Sequence, residues 1–270
     1  MGNRDLGRRE FVRLAAGGAL AAPALAQGAP QGGLPQRPAR KKALFVYGGW
    51  EGHDPVGCRD LFVPWLKENA FDVVVSDTQA PYADASLMRT IDLVVQVWTM
   101  GTIAKEPLSG LLAAVKSGTG LAGWHGGLGD AYRQETEYEY MVGGNWVAHP
   151  GGVVDYTVNI TDHQDPVTAG LTDFKVRSEQ YLMHVDPNNQ VLATTAFDGA
   201  VDPWIDGYTM PVAWKKVYGR GRVFYTSLGH SAEVFKIPQA LAIAQRGMLW
   251  ASDSRYEATP NLVRPVYPRK

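Results

Sequence analysis

Near the middle of the chain, Gly123-Trp124-His125-Gly126-Gly127 closes the apolar run Thr119 to Ala122. A strand that ends in small residues and turns straight into the next segment leaves one side chain exposed at its tip. In nucleophile-elbow enzymes that side chain is Ser or Cys. Here it is His125. An imidazole does not readily form a lasting acyl-enzyme, but it moves protons near neutral pH and binds metal ions. The turn therefore points to acid–base or metal chemistry where a nucleophile usually stands.

Two more histidines follow expected strand ends, His53 after Gly48-Gly49-Trp50-Glu51-Gly52 and His230 after Leu228-Gly229. Ligands of an open parallel sheet bind beyond the carboxyl ends of its strands, so His53, His125 and His230 are expected on one rim. They are candidates for acid–base work or for holding a divalent metal. None shows the short His-x-x-x-His spacing of a ready-made metal site, so such a site would be assembled from separate loops, and the cofactor stays open. His149, in Asn145-Trp146-Val147-Ala148-His149-Pro150, lies in a loop soon after the elbow and is a candidate substrate contact. His163, in Asp162-His163-Gln164-Asp165-Pro166, reads as a surface residue.

Ser178-Glu179-Gln180-Tyr181 sets a carboxylate and a phenol two residues apart. On one strand they would point the same way, either into a pocket as an acid–base pair or out from an exposed face. Trp50, Trp98, Trp124 and Trp146 fall in the same loops as the histidines. An indole offers an apolar face on which a sugar ring can stack, and one N–H donor. Trp98 and Trp124 read as core; Trp50 and Trp146, flanked by glycine and polar residues, read as a sugar platform.

The elements that must carry these residues follow from apolar patterning. Ala43–Gly49, Phe71–Ser76, Asp92–Trp98 and Thr119–Trp124 are short, nearly continuous apolar runs, separated by helical spacing over Cys58–Ala70 and Leu108–Lys116. Strands buried on both faces and alternating with helices imply a parallel, doubly wound sheet. In the second half, Val153–Thr161, Gln180–Val185, Val191–Ala196, Val212–Tyr218 and Gly221–Ser227 read as further strands. Gly219-Arg220-Gly221 joins the last two as an antiparallel hairpin, and Ile237–Trp250 closes the domain as a helix. The predicted class is α/β: a three-layer sandwich with a mostly parallel central sheet plus antiparallel additions.

The chain has 270 residues, a net charge of −1 and 45% hydrophobic residues, enough apolar mass for one large core. That charge balance gives no reason to expect nucleic acid or an anionic membrane as partner. A single cysteine, Cys58, rules out an internal disulfide framework and a zinc–thiolate cluster. Residues 1–26 read as a twin-arginine signal: Arg8-Arg9-Glu10-Phe11, a modestly apolar Leu14–Leu25, then a small-x-small cleavage site at Ala24-Leu25-Ala26. The apolar stretch is too short to span a bilayer comfortably, so no stable membrane anchor is expected and the mature protein should be periplasmic or secreted. Residues 27–42, rich in Pro, Gly and Gln, read as a flexible linker, 43–254 as the domain, and 255–270 as an extended tail.

These motifs together resemble one known family. Tyr47-Gly48-Gly49 with His53, Gly123-Trp124-His125-Gly126-Gly127, the Gly144–Pro150 segment, Glu179-x-Tyr181 and Gly219-Arg220-Gly221-Arg222-Val223-Phe224-Tyr225 through Leu228-Gly229-His230 occur in the order seen in the ThuA-like, or trehalose-utilisation, family. This group lies within the class I glutamine-amidotransferase-like fold, and the resemblance covers about residues 42 to 252. It implies a flavodoxin-like layered domain and a role on glycosides or disaccharides, often as 3-keto sugars made by partner oxidoreductases. It also implies no glutaminase activity, because His125 stands where amidotransferases need cysteine. The expected catalytic set is His125, His53, His230, Glu179 and Tyr181, acting in isomerisation, elimination or hydrolysis of a (keto)sugar. A non-catalytic sugar-binding module and a metal-dependent hydrolase are the alternatives the sequence leaves open.

Overall fold

A computed structural model describes residues 33–262; the expected export signal at 1–26, the first part of the expected linker and residues 263–270 of the expected tail lie outside the described residues. The chain runs β1 (Lys41–Gly49), α1 (Pro55–Glu68), β2 (Phe71–Ser76), α2 (Ala85–Thr90), β3 (Leu93–Thr99), α3 (Lys105–Lys116) and β4 (Gly120–Trp124). It continues through α4 (His125–Gly129), α5 (Thr136–Val142), β5 (Gly144–Ala148), β6 (Val153–Ile160), β7 (Phe174–Glu179), β8 (Leu182–Val185) and β9 (Gln190–Ala196). The hairpin β10 (Thr209–Tyr218) and β11 (Gly221–Thr226) and the helix α6 (Pro238–Ser252) complete it.

Nine strands form one sheet in the order β2-β1-β3-β4-β11-β10-β9-β6-β7, and β5 pairs with β8 in a separate two-stranded sheet. The neighbours from β2 to β11 are parallel. From β11 onward β10, β9, β6 and β7 pair antiparallel. The inner strands of the parallel half are buried on both faces, whereas β6 in the antiparallel half alternates exposed and buried residues. In β1, Ala43 and Phe45 join the core packed under α1 and α6, while Leu44 and Val46 join the core packed under α3 and α5. Side chains alternate faces along a strand, so an uninterrupted apolar run is what a strand between two helical layers requires. Helix α6 lies close enough that a Cβ on Gly247 would collide with the Phe224 ring.

Order begins slightly before the expected domain boundary. β1 starts at Lys41, and Arg37 and Arg40 in the expected linker are ion-paired to Glu257 and Asp72 at 2.8 Å each. Residues 255 and 256, at the start of the expected extended tail, lie in a turn over 253–256 instead. Tyr256 there donates to Asp92 at 2.7 Å, and Arg255 to Thr119 at 2.6 Å. Among the described residues no helix is long and apolar enough to cross a membrane.

One buried ion pair ties the antiparallel half together. Lys215 on β10 donates to both carboxylate oxygens of Asp165 at 2.6 Å, with side chains 3% and 5% exposed. Removing one partner of such a pair leaves a buried charge uncompensated. Asp165→Asn is expected to lower unfolding free energy by about 3–5 kcal/mol, read from the denaturant midpoint. A loss below about 1 kcal/mol, the range of an exposed pair, would contradict this reading.

Candidate active site

The parallel half of the sheet delivers three imidazoles to its carboxyl rim. His53 ends a 3-10 turn (Glu51–His53) after β1, His125 is the first residue of α4 directly after β4, and His230 follows β11. The fourth member is Glu179, the last residue of β7, at the far end of the sheet order. The chain leaves the large sheet there to enter β8.

These four residues each offer one ligand atom, all within 4.8 Å of one another. Glu179 Oε2 is the hub, at 3.0 Å from His125 Nε2, 3.4 Å from His230 Nδ1 and 3.5 Å from His53 Nε2. His125 Nε2 and His230 Nδ1 are 3.3 Å apart. The remaining nitrogens of the two inner rings are anchored: His125 Nδ1 lies 2.7 Å from the Ser227 carbonyl and His53 Nδ1 3.0 Å from Thr99 Oγ1. A carbonyl oxygen only accepts, so His125 carries its proton on Nδ1 and keeps the lone pair of Nε2 toward Glu179.

Burial pulls the His125 pKa down to about 4 against the opposing pull of Glu179, so the ring is neutral at pH 7. Burial alone would raise Glu179, but His125, His230 and His53 around it outweigh that and hold its carboxyl well below the usual range. The core of the site is thus a carboxylate among imidazoles. Burial raises the Tyr181 phenol far above its ordinary value, keeping it protonated as a donor.

The elbow geometry is local and strained. His125 has φ of +47°, in the left-handed region that residues other than glycine occupy uncommonly. Gly126 follows because a Cβ there would strike the His53 ring. The turn thereby presses the first and fourth strands' histidines together, with ring centroids 4.5 Å apart.

Around the cluster, Tyr181 stacks on His125 at 4.0 Å between centroids. Trp50, 48% exposed, stands edge-on to His53 at 4.7 Å. On the other side Trp146 lies 5.6 Å from the His149 ring and 6.4 Å from Tyr181. His149 Nε2 is 3.9 Å from Glu179 Oε1. Trp146 Nε1 and His149 Nδ1 are buried without a hydrogen-bond partner among the described residues. His149 and His230 are the accessible imidazoles, with side chains 37% and 24% exposed; His125 is at 1%.

The candidate site residues His53, His125, His149, His230, Glu179, Tyr181, Trp50 and Trp146 thus lie together, with one difference in how. Glu179 and Tyr181 do not share a strand. β7 stops at Glu179 and β8 starts at Leu182, so Tyr181 sits in the connection between two sheets and reaches His125 by stacking rather than by strand alternation. Trp124 is core at 1% exposure and Trp98 packs partly buried, as read. His163 and His184 are exposed and take no part. Patterning missed Thr99, the last residue of β3, and Arg133, whose guanidinium covers the Trp146 ring at 4.5 Å while paired to Asp130. Thr99 had a signal, since it ends an apolar run on the same rim. Cys58 is buried in α1 and its thiol is pushed up to about 12 by burial, so it offers no nucleophile.

A family model described as ThuA, trehalose utilisation, matches residues 42–251, and the chain belongs to this family. The family points to a carbohydrate-related role. No curated protein matches the chain. Among solved structures, a ThuA-like protein from Parabacteroides merdae is similar at 20% identity and a TM-score of 0.65, covering 82% of this chain and 94% of its own. One from Bacteroides uniformis is similar at 16% identity and a TM-score of 0.65, covering 83% and 95%. A cytoplasmic protein from Salmonella typhimurium is similar at 15% identity and a TM-score of 0.56, covering 79% and 98%. These likenesses establish the layered α/β fold.

Proposed function

We propose that the protein is an exported enzyme acting on the 3-keto derivative of a glycoside or disaccharide. The observation that carries this is the junction of Glu179 with His53, His125 and His230 at the ligand-binding rim of a carbohydrate-associated fold. A ketone at C3 acidifies the proton on C2. A base of near-neutral pKa removes it, leaving an enolate on the C3 oxygen. The electron pair then forms C1=C2 as the C1–O bond breaks, and the departing alkoxide takes a proton to leave as an alcohol; reprotonation at another carbon gives isomerisation instead.

His149, the most accessible of these imidazoles, is the group a ring lying between Trp50 and Trp146 meets first, and it takes the C2 proton. His230, His125 and His53 act from behind it. Tyr181, kept protonated by burial, is a donor for the enolate oxygen. The two buried nitrogens without partners, Trp146 Nε1 and His149 Nδ1, favour a polar, hydroxyl-rich ligand over an apolar one. A sugar oxidoreductase acting earlier would supply the ketone.

The test is a mass-spectrometric screen of glycosides and their 3-keto forms, with and without chelator. Consumption of the 3-keto form alone supports the reading. Reversible binding with no product would favour a sugar-binding module, and hydrolysis of the unoxidised glycoside a hydrolase. Export carries its own prediction. Arg8→Lys with Arg9→Lys should trap the precursor in the cytoplasm, seen by fractionation and immunoblotting; normal export of that variant removes the twin-arginine reading.

A further inference from the structure

We infer that His53 Nε2, His125 Nε2, His230 Nδ1 and Glu179 Oε2 bind one divalent transition-metal ion, which supplies the positive charge that the keto-sugar chemistry needs. The inference rests on the proposed function for its role and on geometry for the site itself. Imidazole nitrogens and carboxylate oxygens sit at about 2.0–2.2 Å from zinc, so neighbouring ligand atoms are about 2.9 Å apart in an octahedron and about 3.4 Å in a tetrahedron. Four of the cluster's six separations, 3.0, 3.3, 3.4 and 3.5 Å, fall at those edges, and all six lie within 4.8 Å.

The hydrogen-bond inventory points the same way. With His125 Nδ1 on the Ser227 carbonyl, its Nε2 is aimed at Glu179 Oε2 at 3.0 Å, and an imidazole nitrogen and a carboxylate oxygen at that distance face each other across a shared cation, a proton or a metal ion. The anchoring of His125 by a backbone carbonyl and of His53 by Thr99 is the outer-sphere arrangement that fixes metal-bound imidazoles. Electrostatics adds a third argument. A carboxylate at the heart of a site has the wrong sign for stabilising an enolate, and Arg133 nearby is already committed to Asp130. A cation held by Glu179 reverses that sign and polarises the ketone oxygen. Three nitrogens and one oxygen without thiolate suit zinc, manganese, iron(II) or cobalt over calcium or magnesium.

The experiment strips the purified protein with chelator and titrates Zn²⁺ and Mn²⁺ by calorimetry, with bound metal counted by elemental analysis. One ion per chain is expected. Glu179→Ala and His125→Asn should lose stoichiometric binding, and His163→Ala, at an exposed position away from the site, should bind like the parent. Thr99→Val, which keeps shape and removes only the His53 partner, should weaken binding about 10–100-fold, and it decides the matter if the ligand variants do not fold. No stoichiometric binding by the parent, or unchanged binding by Thr99→Val together with Glu179→Ala, overturns the site. Stoichiometric metal with no turnover of any keto sugar would remove the proposed function and leave the site standing. Undiminished turnover in metal-free protein would remove the metal's role in the reaction and leave the proposed function standing.

Discussion

Replacing His125 by alanine should lower turnover of a 3-keto glycoside by about 10²-fold or more, the scale seen when a group acting in proton transfer or charge stabilisation is lost. The ring is at the centre of the site: its Nε2 touches both Glu179 and His230, and its Nδ1 is fixed by Ser227. Substrate binding should fall less, because Trp50 and Trp146 flank the cluster without leaning on His125. The loss should therefore appear mainly in kcat. Alanine at φ +47° carries backbone strain of its own, so His125→Asn is the informative companion, since asparagine tolerates that conformation. If His125→Asn is folded by circular dichroism and equally inactive, the chemistry of the ring is at stake. If either variant keeps full activity, the elbow histidine is structural only.

Glu179 should matter at least as much. It lies within 3.5 Å of all three rim histidines, and it holds its charge at 9% side-chain exposure. Glu179→Ala is expected to cost about 10²–10⁴-fold in kcat/KM. Glu179→Gln, nearly the same shape, should recover little of that loss, because the site uses the charge. Residues that act as a unit are strongly non-additive. The double variant His125→Asn/Glu179→Ala should accordingly be only slightly worse than Glu179→Ala alone. Multiplicative losses in steady-state kinetics would mean that the two act independently, and near-parental activity of Glu179→Gln would mean that the negative charge is dispensable.

Much of this arrangement is legible in the sequence, and the reason is local. β1 to β4 announce themselves because strands buried on both faces need unbroken apolar runs, and each run ends in the residue that lands on the rim. The β10–β11 hairpin is marked by Gly219 at φ +62°, where the turn needs a left-handed residue. His53, His125 and His230 could be assigned to one rim because all three follow parallel strands. Glu179 was harder. Its strand β7, Phe174–Glu179, pairs with β6 at the sheet's far edge, and that pairing is set by contacts distant in sequence. Glu-x-Tyr looked like one strand face, whereas the chain changes sheets between the two residues. The short elements α5 and β5 leave little mark on the sequence for a similar reason. They are held by packing on β10 and pairing with β8 rather than by periodicity of their own.

Under the proposed function, the site removes the proton on C2 of an oxidised sugar. The direct measurement is mass spectrometry of a 3-keto disaccharide incubated in D₂O with the parent protein and with His125→Asn. Deuterium is expected at C2 of recovered substrate, or in the product derived from it, with the parent only, and no exchange into the unoxidised disaccharide. Substrate consumed without any deuterium at C2, or equal exchange with His125→Asn, would contradict it.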